Sequence, residues 1–232
     1  MREIVLDTET TGLDPRSGDR IVELGCIELI NHMPTDQVLH IYFNPERDMP
    51  EGAFNVHGLS EEFLRDFKLF SEHAEEIITF LGDDPLVIHN AAFDMKFLNA
   101  EFTRAGHPVL GMERAVDTLT IARKKYPGAQ NSLDALCRRF GIDNSARTHH
   151  GALLDSELLA EVYLELVGGR EPGLGLLSSQ LDGTDASDDR SHKRQPARSE
   201  PLPSLLTPLE HKAHEEFVAT LSDGALWLKV KP

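Results

Sequence analysis

The sequence predicts an α/β fold, a mixed sheet flanked by helices, and three observations carry that expectation. Apolar runs with partial alternation, joined by short turns, fill residues 2–43 and read as an antiparallel meander. From residue 71 onward, amphipathic helical stretches alternate with two short apolar runs, the order expected of helices packed on parallel strands. The pattern stops at Gly168-Gly169, after which Gly, Ser, Asp, Arg and Pro dominate to residue 206.

The elements follow in order. Residues 2–8 form the first strand, ending in Asp7-Thr8-Glu9-Thr10-Thr11-Gly12, and residues 11–15 turn. Residues 20–30 make a long strand, residues 31–34 a turn, and residues 38–43 a third strand. Residues 46–58, with Pro50 and Gly52, are expected to be irregular. Ser60 before Glu61-Glu62 is an N-cap and first turn. A helix starts at Ser71, with Ala74, Ile77, Ile78 and Leu81 on one face, and stops at Gly82. Residues 85–89 are a buried strand. It runs into Asn90-Ala91-Ala92-Phe93-Asp94, which opens a helix carrying Phe97, Leu98 and Phe102. Residues 115–117 are a strand, and residues 118–126 are helical up to Pro127. Ser132 caps a helix ended by Gly141. Residues 151–167 form the last helix of the core, with Leu154, Leu158 and Val162 inward.

The organisation expected is therefore a domain at 1–169, a flexible linker at 170–206 and a short C-terminal segment at 207–232. That segment opens with Thr207-Pro208-Leu209-Glu210, a capping box with Pro at the first helical position, and carries the chain's one Trp at 227. A helix of that length is marginal alone in water, so docking on a partner is the favoured role over folding back on the core. Cys26 and Cys137 fall in amphipathic segments and read as buried, reduced thiols. The opening residues lack a basic, apolar leader pattern, and no apolar run nears the ~18 residues of a bilayer span. No membrane partner and a cytoplasmic location are expected.

Net charge is −16, and residues 1–169 carry 15 basic against 29 acidic side chains. A free-standing nucleic-acid binder usually shows a basic footprint. If this chain handles nucleic acid, bound cations and a partner protein must offset the repulsion. The runs Arg123-Lys124-Lys125 and Arg138-Arg139, with Arg147, read more readily as solvated helix faces than as phosphate contacts.

The chemistry lies in the acids. In a strand, Asp7 and Glu9 share one side while Leu6 and Thr8 share the other. Two carboxylates side by side at a buried strand end repel and are desolvated, a cost that a hard divalent cation removes. Asp94 opens a helix directly after a strand, where ligands collect in open α/β sheets. His149, His150 and Asp155 lie at the start of the last core helix. Carboxylates with one histidine suit two-metal phosphodiester hydrolysis, in which the histidine takes a proton from water near neutral pH. Taken singly, each has an ordinary explanation: Asp94 as a helix N-terminal acid, the histidines as surface residues among eleven. Jointly they are harder to explain that way.

The motifs Asp7-Thr8-Glu9, His89-Asn90-Ala91-Ala92-Phe93-Asp94 and His150-x₄-Asp155 together resemble the DEDDh 3′–5′ exonucleases, over residues 1–169. The runs Phe54-Asn55-Val56-His57-Gly58 and Asn131-Ser132-Leu133-Asp134-Ala135-Leu136-Cys137 draw the likeness toward the proofreading members that serve bacterial replicases. The resemblance implies a ribonuclease H-like fold and two divalent metal ions, Mg²⁺ or Mn²⁺, on Asp7, Glu9, Asp94 and Asp155. It implies His150, with the matching spacing to Asp155, as general base, and not the adjacent His149. Thr10, Leu13, Glu51, Val56, His57, Asn90 and Phe93 match positions lining the family's pocket for the 3′-terminal nucleotides, where Asp7, Glu9 and Asp155 also touch substrate. An unpaired end enters such a pocket more easily than a paired one, the physical basis of proofreading.

The partners implied are a DNA 3′ end, the polymerase catalytic (alpha) subunit through about 207–228, and a small theta-type subunit. The sliding clamp joins them through about 173–177, which has the position and apolar ending of a clamp peptide without its usual Gln. The holoenzyme setting also brings the nucleotidyltransferase class with it. Two alternatives stand beside this reading: a related exonuclease trimming RNA ends, and an assembly subunit bridging polymerase and clamp.

Overall fold

Residue alternation along the first strand decides which layer each side chain joins. The computed structural model describes residues 1–145, 149–168 and 207–220, and β1 spans Arg2–Thr10. Ile4 and Leu6 are fully buried on one face of the sheet and Val5 on the other, so β1 is apolar on both faces and sits centrally. β2 (Ile21–Ile30) and β3 (Met33–Tyr42) follow it as an antiparallel meander. On the other side, β4 (Leu86–Ile88) pairs parallel with β1, giving the order β3-β2-β1-β4-β5, with the parallel β5 (Ala115–Asp117) at the edge.

Before β4 come α1 (Glu51–His57), α2 (Glu61–Leu64) and α3 (Phe70–Leu81). After it come α4 (Ala91–Arg104), then α5 (Thr118–Lys125), α6 (Leu133–Phe140) and α7 (Ala152–Val167). The Ile4/Leu6 face is covered by α3 and α4, through Phe70, Ile77, Met95, Phe97 and Phe102. The Val5 face is covered by α5, α6 and α7, through Ala122, Leu136, Leu159, Val162 and Leu166. This three-layer arrangement is the predicted α/β fold.

Four expectations need correction. Residues 51–57, expected to be irregular, form α1. Pro50 is its extended N-cap, directly before Glu51, and Gly58 ends it with φ +73°. The third strand starts at Met33 rather than 38. Asn31 and His32 both take positive φ, as a two-residue hairpin turn requires, and Pro34 is tolerated because β3 is an edge strand. The third helix begins at Phe70, with the Leu69 N–H donating to Glu72 Oε1 at 3.0 Å. The first strand runs on to Thr10 rather than ending at Thr8, while Leu154 packs against the core as expected.

Cys26 and Cys137 are buried free thiols, as predicted. The chain divides into two units, Met1–Leu177 and Ser178–Pro232. In the second, α8 (Pro208–Thr220) is described. Thr207 and Glu210 make the predicted capping box: the Thr207 N–H donates to Glu210 Oε2 at 2.8 Å, and the Glu210 N–H donates to Thr207 Oγ1 at 3.3 Å. The predicted linker at 170–206, the run 173–177, Arg147 and Trp227 lie outside the described residues. No described helix is long and apolar enough to cross a membrane.

Candidate active site

The site forms where β1 ends. Asp7 stands directly opposite Gly25 in the antiparallel pairing of β1 and β2. A Cβ at Gly25 would lie 2.4 Å from the backbone of Ala152 and Leu153, so the first turn of α7 presses onto the sheet there. Ser156 Oγ fastens it by donating to the Gly25 carbonyl at 3.0 Å. That contact carries Asp155, 3% exposed, up to the β1 acids. Asp94 arrives from the opposite layer, on the first turn of α4, and is also 3% exposed. Thr8 points to that layer, as alternation requires, and its Oγ1 donates to Asp94 Oδ1 at 2.6 Å.

Asp7, Glu9, Asp94, His150 and Asp155 line one cleft of about 850 Å³, with Asn90 and Phe93 beside them. Donor atoms of Glu9, His150 and Asp155 lie within 4.8 Å of one another. His150 Nδ1 is 3.2 Å from Asp155 Oδ2, and its backbone N–H donates to the Val56 carbonyl at 3.0 Å. His149 turns elsewhere: its ring lies 3.3 Å from where a Gly58 Cβ would stand. Burial pushes the Asp94 carboxyl up to about 7, although bonds from the Thr8 hydroxyl and from backbone N–H groups pull the other way. A carboxylate this costly to ionise, clustered with three more acids, is what a hard cation satisfies, and the oxygen-rich donor set fits Mg²⁺ or Mn²⁺.

The pocket residues divide. Asn90 holds φ +66° at the mouth of α4, and its N–H donates to Asp117 Oδ1 at 3.1 Å. Phe93 is partly buried beside Phe97, the ring centroids 5.0 Å apart. Leu13 is 78% exposed on the loop after β1, where its carbonyl accepts from Lys96 Nζ at 2.8 Å. Thr10 is buried, its Oγ1 donating to the Gly12 carbonyl at 2.7 Å. His57 is buried on α1. Burial draws its pKa down, against Glu23 and the Thr10 backbone, and His150 adds to the lowering. The His57 Nδ1 accepts the Leu59 N–H at 3.0 Å, so the ring proton sits on Nε2, which is buried without a well-formed hydrogen bond. Val56 and Glu51 are exposed on α1. Thr10, Leu13, Glu51, Val56 and His57 do not line the 850 Å³ cleft.

Sequence reasoning missed several supports. Gly25 could be found only from the register opposite Asp7. Asp117 had a local signal, an acid directly before a helix. Its carboxylate accepts from the N–H groups of Asn90 and Leu119, at 3.1 Å each, and from Thr120 Oγ1 at 2.6 Å. It thus ties the α4 turn to α5. A further stretch of cleft lining includes Leu119, Arg123, Gly128, Asn131 and Ser132; the sequence offered Arg123 as a solvated helix face and Ser132 as a helix cap, and placed neither in the site.

Comparison with known proteins decides the family. The sequence profile of an exonuclease family, of RNase T type, matches residues 4–163. The chain belongs to this exonuclease family. It is 47% identical over 225 residues to a DNA polymerase III subunit epsilon of Rickettsia felis, across 95% of this chain and 97% of the relative. It is 46% identical over 176 residues to the protein of that name from Escherichia coli K12, covering 73% of this chain and 72% of the relative. Among solved structures it is similar in fold to exonuclease X in complex with 5′-overhanging duplex DNA. The TM-score there is 0.57 at 24% identity, over 71% of this chain and 90% of that one. It also resembles the nuclease domain of 3′hExo, a DEDDh family member bound to rAMP, with TM-score 0.62 at 18% identity, over 72% of this chain and 91% of that one. These likenesses agree with the ribonuclease H-like sheet. Exonuclease chemistry is hydrolytic, so the nucleotidyltransferase class brought in by the holoenzyme setting does not belong to this chain.

Proposed function

We propose that the chain is the proofreading 3′–5′ exonuclease subunit of a bacterial DNA polymerase III, removing mispaired 3′-terminal nucleotides by hydrolysis. The observation that carries this is the convergence of Asp7, Glu9, Asp94, His150 and Asp155 on one cleft, in a chain 47% identical along almost its whole length to a DNA polymerase III epsilon subunit. Asp7, Glu9, Asp94 and Asp155 are the residues to hold two divalent cations, Mg²⁺ or Mn²⁺. When bound, such a pair supplies charge stabilisation to the attacking and leaving oxygens of an in-line displacement.

His150 is the general base. Asp155 engages Nδ1 and orients the ring, the bond to the Val56 carbonyl fixes its backbone, and Nε2 is the atom that takes the proton from water. Phe93 and Leu13 offer apolar faces to the terminal bases, and Asn90 holds the turn that presents Phe93. His57, Thr10, Val56 and Glu51, which lie outside the cleft lining, are assigned to the terminal-nucleotide pocket by the family resemblance alone. Such a pocket takes a frayed end, so a mismatch is favoured by the cost of unpairing. The polymerase alpha subunit is the partner for about 207–228, with the clamp at about 173–177 and a theta-type subunit as further contacts, in the bacterial cytoplasm.

The test is Mg²⁺-dependent digestion of a 3′-labelled single-stranded DNA, with Asp7→Ala and His150→Ala beside the wild type. Release of labelled mononucleotide that both substitutions reduce by about a thousandfold or more supports the assignment. A wild type that trims RNA and leaves DNA intact would replace it with the RNA-end reading.

A further inference from the structure

The acids and His150 account for one part of the cleft lining. Another part is built by α5, the turn at 126–132 and the start of α6, and the proposed roles leave it unused. Among the described residues lining the cleft, Arg123 is the one Lys or Arg, set against the carboxylates of Asp7, Glu9, Asp94, Asp134 and Asp155.

Two of the basic residues near it, Lys125 and Arg139, are committed elsewhere. Lys125 Nζ donates to the carbonyls of Glu165 and Leu166 at 3.2 Å each, closing the C-terminal end of α7. The Arg139 guanidinium lies 4.2 Å above the Tyr126 ring. Arg123 itself has no carboxylate within ion-pair distance among the described residues, and its side chain is exposed.

Its base is rigid. Ala122 beside it is fully buried, and Asp117 caps the start of α5. Asn131 Nδ2 pins the following turn by donating to the carbonyls of Tyr126 at 3.3 Å and Ala129 at 3.0 Å.

An acidic cleft that admits a polyanionic strand needs cations at two places. The carboxylates would hold metal ions, which would offset charge at the phosphate being cleaved. Those ions do nothing for the phosphates further along the strand, which still face a chain of net charge −16. A guanidinium matches a phosphate with two parallel N–H bonds and keeps its charge at any working pH. We infer that Arg123 binds a backbone phosphate of the substrate strand next to the one being cleaved, and so positions the strand in the cleft. This rests on the exonuclease reading above.

The experiment compares wild type, Arg123→Gln and Arg123→Lys on single-stranded DNA across a salt series, with melting temperature recorded for each. Arg123→Gln is expected to raise KM about five- to tenfold while kcat falls less than twofold. The slope of log kcat/KM against log salt should become shallower by ~0.7, the signature of one lost contact to a single strand. Arg123→Lys should recover part of the KM and most of the slope. A folded Arg123→Gln protein with wild-type KM and salt slope overturns the phosphate contact and leaves the exonuclease reading intact. A loss in kcat alone, with KM and slope unmoved, also overturns it, because Arg123 would then act on the reaction rather than on the strand. A wild type that hydrolyses no strand would remove the exonuclease reading and this inference together.

Discussion

At the scale of single residues, the site depends on positions to which no metal-binding or proton-transfer role is assigned. Gly25 is one. A β-carbon there would stand 2.4 Å from the α7 backbone, so the helix must retreat or the sheet must bend. Gly25→Ala is expected to cost about 1–3 kcal/mol of stability. It should also lower kcat at least tenfold, because Asp155 and His150 move away from Asp7 together. Urea unfolding beside single-turnover kinetics measures both, and wild-type kcat in the variant would show the close approach to be incidental. Thr8 is another. Its hydroxyl bonds Asp94, so Thr8→Val should weaken Mn²⁺ binding by about ten- to a hundredfold, as loss of a bond to a ligating carboxylate does. Calorimetric titration of the protein with Mn²⁺ checks this. Of the two residues, Thr8 was half legible, since alternation placed it on the Leu6 side. Gly25 was not legible, because its meaning lies in a pairing across 18 residues and a helix more than 120 residues further on.

At the scale of elements, the sequence was clearest where local chemistry and tertiary packing agree. α6 and the capping box of α8 stand as read, because caps are local signals. It was weakest at α1, whose seven residues include Gly52 and bury only His57, so no apolar stripe announced a helix. β3 was read short because residues 33–38 are largely exposed and hold Pro34, a pattern that only edge position explains. The four acids and His150 were legible as motifs, whereas the α5–α6 lining was not, since it reaches the cleft through folding alone. The junction of β5 and α5 carries a pH dependence. Partial burial alone would raise the Asp117 carboxyl, but bonds from Thr120 and from the backbone of Asn90, Ala91 and Leu119 outweigh it and hold it below the usual carboxylate range. The folded protein therefore binds this proton less readily than the unfolded chain. The stabilisation is whole above the unfolded value of ~3.9 and is lost as pH falls through the lower folded value. Asp117→Asn should lower stability by about 1 kcal/mol at neutral pH, the ordinary worth of an N-cap in a screened position. The gap should close as pH drops below about 4, and chemical denaturation at the two pH values reads it directly.

At the scale of the whole molecule, charge and organisation point the same way. Residues 1–169 carry 29 acidic and 15 basic side chains, so an isolated nuclease repels the strand it must cut. Delivery by a polymerase removes that difficulty, because a tethered site meets the 3′ end at a local concentration in the millimolar range for a short linker. On the proposed reading the C-terminal segment is the part that docks. α8 buries none of its side chains, with Leu209 81% and Phe217 59% exposed, and a 13-residue helix gains little from its own hydrogen bonds. On the proposed reading, the polymerase subunit is what covers these apolar side chains. Removing residues 170–232 should leave kcat and KM on free single-stranded DNA within about twofold of the full chain, since every residue of the proposed site lies before residue 169. The same truncation should abolish co-elution with the polymerase catalytic subunit in size-exclusion chromatography. It should also slow excision of mispaired ends during synthesis, because the site would no longer be held at the stalled terminus, while the truncated chain keeps its intrinsic preference for frayed ends. A truncated chain that still co-elutes would move the polymerase contact onto the nuclease core, and α8 would then need another partner.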